Sequence, residues 1–182
     1  MITGRKVNLR LVSQADLDIV ASYMNNIHWR GKYETVALVP EHQMRKKFAE
    51  TGFWEDDEGT LHITGKDDRV LGLVNYWRPF TRPTRLAYEI SFAIDNPEDW
   101  GKGFMSEAVS LFVPYLFSIK TTDRIQAITH PENTASRRVL EKSGFKLEGV
   151  LRRLYVSRGV PIDVQMFSVL RGESPPFQPG PS

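Results

Sequence analysis

Residues 90–109, ISFAIDNPEDWGKGFMSEAV, place a strand, a turn with two glycines and a helix start in immediate succession. The strand belongs to a run from Leu86 to Asp95 in which Leu86, Tyr88, Ile90, Phe92 and Ile94 share one face and Ala87, Glu89, Ser91 and Ala93 the other. Glu89 is the one charge inside that run. A strand feeding such a turn presents free backbone N–H groups and the positive end of a helix dipole, an arrangement that holds a pyrophosphate. Gly101 and Gly103 let a ligand approach the backbone closely. The segment GKGFMS lacks the gap and the Gly-Lys-Ser/Thr ending of a P-loop, and it is not a GxGxxG dinucleotide signature. On spacing alone, an ordinary glycine turn at a helix start remains the alternative.

The rest of the chain reads as alternating elements. Val7, Leu9 and Leu11 mark a strand, and Ser13 to Asp16 offers the N-cap of a helix reaching Asn25. Residues 27–40, IHWRGKYETVALVP, are rich in large side chains, lack periodicity and can fold over a binding site. A second helix runs from Glu41 to just before Gly52. Strands over Thr60–Gly65, Val70–Trp77 and Leu86–Asp95 form an antiparallel meander. A helix from Phe104 to Ile119, which Pro114 should bend, leads into the strand Arg124–Thr129. Asn133 caps a helix that Gly144 ends, and the strands Lys146–Tyr155 and Ile162–Leu170 close the fold around Arg158-Gly159. The order predicts a mixed α/β sheet in a single domain over residues 1–171, followed by a disordered Pro/Gly/Ser-rich tail over 172–182.

Composition narrows the chemistry. The 182 residues include no cysteine, which excludes disulfides, thiolate catalysis and the commoner zinc sites. His28, His42, His62 and His130 are scattered singly, so no metal site is expected. A net charge of +2 does not imply a nucleic-acid partner, although Arg137, Arg138, Arg152 and Arg153 cluster; such a cluster suits a phosphate-bearing ligand equally well. No stretch approaches the roughly 20 apolar residues of a membrane span, and the N-terminus lacks the apolar core of a secretory signal. The expected location is cytoplasmic.

A second segment, HPENTASRRVLEKSGFKLEG at residues 130–149, follows the glycine turn. Together the two resemble the GNAT acetyltransferases, whose acyl-CoA loop has the form Arg/Gln-x-x-Gly-x-Gly/Ala ahead of a helix; Trp100-Gly-Lys-Gly103-Phe-Met105 occupies those positions. The family's later Asn-x-x-Ser/Ala, helix, Gly-Phe pattern is met by Asn133, Ser136, Gly144 and Phe145. The resemblance covers about residues 5–171 and is closest to the ribosomal-protein N-terminal acetyltransferases. Trp100 and Met105 depart from the loop, and Leu140 stands where many relatives place a tyrosine that protonates the departing thiolate.

The resemblance implies an α+β fold with a mostly antiparallel sheet of about six to seven strands flanked by about four helices. It also implies acetyl-CoA as cofactor and transfer of its acetyl group to a primary amine, on a small molecule or a protein N-terminus, by direct attack in a ternary complex. The residues placed against the cofactor are Phe92, Ala93 and Ile94 through their backbone, then Trp100, Gly101, Lys102, Gly103, Phe104, Met105, Ser106, Asn133 and Ser136. Glu89 matches a glutamate of that branch and is either a general base or a strand residue in a salt bridge. Ser136 or Tyr155 can donate the proton that the missing tyrosine would give. Trp29, Tyr33, Trp77, Glu89 and Asp163 are candidates for the acceptor side, as are Trp54, Phe80 and the acidic run Glu55-Asp-Asp-Glu58. A homodimer through the last two strands is a further implication. A non-catalytic acyl-CoA-binding module, or an RNA-associated acetyltransferase, is the alternative.

Overall fold

The computed structural model describes residues 1–26, 33, 38–79, 87–157 and 159–178, with the side chain of residue 157 outside that description. Twelve regular elements follow in the order β1 (Ile2–Thr3), β2 (Asn8–Leu11), α1 (Leu17–Asn25), α2 (Glu41–Thr51), β3 (Glu58–Thr64), β4 (Val70–Trp77), β5 (Ala87–Ile94), α3 (Phe104–Ile119), β6 (Arg124–Thr129), α4 (Thr134–Lys142), β7 (Lys146–Ser157) and β8 (Val160–Leu170). The strands form one sheet, ordered β1-β2-β3-β4-β5-β6-β8-β7. Among the described residues it contains eight strands rather than six to seven. The additional one, β1, is two residues long, too short to show alternation in the sequence.

All neighbours pair antiparallel except β5 and β6, which run parallel and are joined by α3. Alternation assigns Leu9, Leu61, Ile63, Val74, Tyr76, Tyr88, Ile90, Ile125, Ala127, Phe167 and Val169 to one buried face. Against it pack Ala108, Val109, Phe112, Val113, Leu116 and Phe117 of α3, with Leu140 and Phe145 from the α4 region. Full burial of side chains of this size contributes about 1.5–3 kcal/mol each, so this layer holds α3 to the sheet. α3 is helical without interruption through Pro114, which is itself buried. Arg171 donates to the carbonyls of Phe117, Lys120 and Thr122 at 2.6, 2.8 and 2.9 Å and so satisfies acceptors at and just beyond the C-terminus of α3.

The opposite face is more polar. At one end it is covered by α1 and α2, where Val12, Leu17 and Met44 form a second apolar cluster. Asp16 anchors that corner, accepting from both the backbone and hydroxyl of Ser13 at 2.7 Å and from two nitrogens of Arg10 at 2.7 and 3.0 Å. Those donors hold its carboxyl well below the usual carboxylate range. Gly52 ends α2 with φ 62, the left-handed conformation glycine adopts without a Cβ penalty. Beyond residue 171 the chain is described to Gln178, and Phe177 packs edge-on against Tyr115 with ring centroids 5.4 Å apart.

Candidate active site

Among the described residues, β5 and β6 pair only over Ala87↔Arg124, Tyr88↔Ile125 and Glu89↔Gln126. Beyond Glu89, β5 keeps its β4 neighbour as far as Ile94 and, among the described residues, has no partner strand on the other edge. On that edge the backbone groups of Phe92 and the N–H of Ile94 face the cleft, whereas those of Ala93 face β4 and the Ile94 carbonyl accepts the indole N–H of Trp100. Glu89 sits at the apex, 8% exposed, and accepts a 2.9 Å hydrogen bond from Nε2 of Gln126. Burial raises its carboxyl above the usual range and the Gln126 bond opposes this in part. Among the described residues its hydrogen-bond partner is neutral.

The glycine turn meets the open end of the cleft. Gly101 and Gly103 have φ 74 and 82, and Gly103 is the N-cap of α3. A Cβ added at Gly101 would meet nothing within 4 Å, so open space faces this turn. The first intrahelical bond runs from the N–H of Glu107 to the carbonyl of Gly103 at 3.1 Å, leaving the N–H groups of Phe104, Met105 and Ser106 without helical acceptors. An anionic group fits there on three grounds: open space, free donors and the dipole end. Phe104 and Met105 are half-buried with their side chains packed against the main core, which is where the methionine at a position expected to be small is accommodated.

Trp100 behaves differently from a phosphate ligand. Its indole N–H donates to the carbonyl of Ile94 at 3.0 Å and its backbone N–H to Pro97 at 3.1 Å, so both donors are committed to holding the cleft edge. Lys102 donates to Asp99 at 2.9 Å, and Arg69 donates to the same carboxylate at 2.9 and 3.3 Å. Asp99 is 4% exposed and held at about 2 by these cations, which fix the shape of the turn.

On the far wall, Asn133 caps α4 by accepting the N–H of Ser136 at 3.1 Å, and Ser136 stands half-buried in the first helical turn. Leu140 is 1% exposed in the main core, so the position expected for a proton-donating tyrosine is filled by packing. Tyr155 and Asp163 lie elsewhere. Gln165 is opposite Thr129, the last residue of β6, and Tyr155 is opposite Ile162, so both sit where the β7–β8 hairpin extends past β6. Asp163 accepts the backbone N–H of Arg153 at 2.9 Å; Arg153 has φ 50, inside an irregular stretch of the β7–β8 pairing. That contact gives Asp163 a structural task at the bulge.

The acceptor candidates divide. Trp77 is opposite Glu89 in the β4–β5 register and shares its face. With Asn75 it lines a cavity of about 250 Å³ completed by Lys47, Phe53, Glu58, Gly59, Thr60 and Tyr76. Asn75 bonds Ser91 Oγ at 3.3 Å, which connects this cavity to the Glu89 strand. Tyr33 stacks on His130 just past β6, with centroids 4.6 Å apart. Trp29 and Phe80 lie outside the described residues. Trp54 packs against Tyr76 at the edge of the core, and three of the four acidic residues are paired: Asp56 with Lys120, Asp57 with Arg78, Glu58 with Lys47. A second groove of about 500 Å³ lies at the other end of α3, but its cations Lys120 and Arg171 are committed to main-chain carbonyls.

Gln126, Asn75 and Thr60 were not singled out by the sequence. Each is a polar residue on the alternating face of an apolar strand, a signal present in RIQAIT, VLGLVNYW and EGTLHIT but shared with many solvent-facing strands.

Residues 6–146 match the acetyltransferase (GNAT) domain family. A probable N-acetyltransferase of Bacillus subtilis, YjcK, is 38% identical over 64% of each chain, so the match spans less than two thirds of that relative. The fold is shared with the spermidine N-acetyltransferase of Vibrio cholerae solved with CoA and spermine (TM-score 0.79, 21% identity, 93% of this chain and 98% of that one). It is also shared with the ribosomal-protein-S5-alanine acetyltransferase of Vibrio fischeri (TM-score 0.77, 23% identity, 96% and 98%). On the family match, the chain belongs to the GNAT acetyltransferases.

Proposed function

We propose that the chain transfers an acetyl group from acetyl-CoA to a primary amine in a ternary complex. The observation that carries this reading is the parting of β5 from β6 immediately past Glu89, with the glycine-led start of α3 at the open end. Acetyl-CoA supplies an activated thioester. The backbone of β5 past Glu89, through Phe92 and the N–H of Ile94, aligns it, and the N–H groups at the start of α3 receive its pyrophosphate. Glu89, raised by burial, is a base better matched to taking a proton from an ammonium near neutral pH than an exposed glutamate. Ser136, in the first turn of α4, is better placed than Tyr155 on the projecting hairpin to protonate the leaving sulfur. The amine approaches from the cavity bordered by Trp77 and Asn75.

The structural neighbours that act on spermidine or a ribosomal protein make both a small polyamine and a protein N-terminus fair acceptors to test. Exposed Leu147, Val150, Leu154, Val156 and Val160 on β7 and β8 support a homodimer through that hairpin, in a cytoplasmic setting.

The test is CoA release over a panel of N-terminal peptides, polyamines and amino sugars, with Glu89→Gln alongside and CoA affinity measured on both proteins. Turnover on one amine class, reduced about 10²–10⁴-fold in Glu89→Gln with CoA affinity retained, is the expected result. Equal turnover in the variant removes Glu89 as the base, and absence of CoA binding removes the reading.

A further inference from the structure

Trp100 leaves the turn without the side-chain cation or amide that its position carries in the resembling family, and both of its N–H donors are committed. The two cations closest in sequence or contact, Lys102 and Arg69, are bound to the buried carboxylate of Asp99. A phosphate arriving at α3 would therefore find helix donors but no free charge from the turn itself. The N-terminal turn supplies one. The backbone N–H groups of Arg5 and Lys6 both donate to the carboxylate of Glu107, in the first turn of α3, the Lys6 bond being 3.0 Å. This lock brings the ammonium of Lys6 to the carbonyl of Lys102 at 2.9 Å, and to within 3.3 Å of where a Cβ on Gly103 would stand. Lys6 makes no ion pair among the described residues, and a neutral carbonyl uses only one of the three donors of an ammonium.

We propose that Lys6, from the turn between β1 and β2, is a pyrophosphate-binding residue of this chain and supplies in space the cation that Trp100 does not supply in sequence. The inference rests on acetyl-CoA being the acyl donor. It assigns separate tasks to the lysines around the turn: Lys102 shapes the loop through Asp99, while Lys6 carries the charge that a phosphate meets. A strictly structural Lys6, holding the Lys102 carbonyl and nothing else, is the reading to be excluded.

The experiment is calorimetric titration of the intact protein, Lys6→Gln and Lys6→Arg with CoA and with dephospho-CoA, at low and high salt. Catalytic efficiency with S-acetyl-pantetheine, which lacks the pyrophosphate, is measured in parallel. Expected is a loss on the order of tenfold in Lys6→Gln affinity, the same for CoA and dephospho-CoA. It should be accompanied by a weaker salt dependence, near-recovery in Lys6→Arg and unchanged efficiency with S-acetyl-pantetheine. Unchanged CoA affinity in Lys6→Gln overturns the proposal, as does a loss confined to CoA, which would place Lys6 on the 3′-phosphate. An equal loss with the pyrophosphate-free thioester also overturns it in favour of the structural role. Failure of the unmodified protein to bind CoA removes the acyl-donor reading itself, an outcome distinct from these.

Discussion

Asp95, at the end of β5, carries a carboxyl oxygen, Oδ1, that is buried without a hydrogen-bond partner among the described residues. Its backbone N–H is satisfied by the carbonyl of Leu71 at 3.0 Å, so the strain is electrostatic and confined to the side chain. Burial alone pushes this carboxyl from an ordinary 3.8 up to about 7. The sign follows from proton linkage: the folded protein holds the proton more tightly than the unfolded chain, so stability is unaffected below pH 3.8, declines as pH rises, and bears the full cost above about 7. At 1.36 kcal/mol per unit the ceiling is about 4 kcal/mol, and the residue's partial solvent access lowers the expectation to about 2 kcal/mol. Asp95→Asn keeps the shape and removes the charge. It should stabilise the protein by about 2 kcal/mol at pH 8 and by close to nothing at pH 4. Urea unfolding reads this directly: with a slope of about 2 kcal/mol per molar, the midpoint at pH 8 moves up by about 1 M. An identical shift at both pH values, or none at pH 8, would refute the account.

Two further perturbations bear on how the cleft and its helix are held. In Gly72→Ala the new Cβ would lie 2.0 Å from the Ala93 carbonyl oxygen and 2.9 Å from Ile94 Cα, both backbone atoms of the strand that borders the cleft. A loss of about 3 kcal/mol or more is expected, with CoA affinity reduced in whatever folds; a thermal melt at parent temperature would show the β4–β5 contact to be slack. Arg171→Met removes three hydrogen bonds from carbonyls at and beyond the far end of α3. Because water can reach part of that site, about 1–2 kcal/mol is expected, a fall of roughly 3–6 °C in Tm, with CoA affinity intact. Loss of CoA affinity together with Tm would contradict the separation of the two ends of α3.

Local signals carried most of the scaffold. Asn133, Gly144 and Gly52 end or begin helices for reasons visible within four residues, and the alternation around Glu89 places it correctly on the polar face. The commitments made across the fold were not legible. Nothing near Lys6 in the chain announces that Glu107, 101 residues away, will hold its backbone beside Gly103. Glu89 likewise reads as a strand glutamate open to a salt bridge until β6 brings Gln126 to it. Leu140 is equally uninformative alone: only its burial shows that the helix position expected to donate a proton is used for packing instead.

The location of the cleft follows from connectivity more than from any one side chain. Parallel neighbours cannot be joined by a hairpin, so the passage from β5 to β6 requires a crossover, and here α3 provides it. The crossover helix must begin beyond the C-terminal end of β5, which places its unsatisfied N–H groups and positive dipole end at the same edge where β5 and β6 have stopped pairing. Backbone donors from a strand edge and from a helix start therefore converge before any residue type is chosen. Residue identity then tunes the result. Glycine at 101 and 103 opens the turn, Trp100 fastens the strand edge, Asp99 fixes the loop, and Glu89 occupies the apex where strand pairing still excludes water. Substitutions on the loop should thus alter affinity while leaving the cleft in place, whereas a substitution such as Gly72→Ala, which displaces β5, removes the cleft itself.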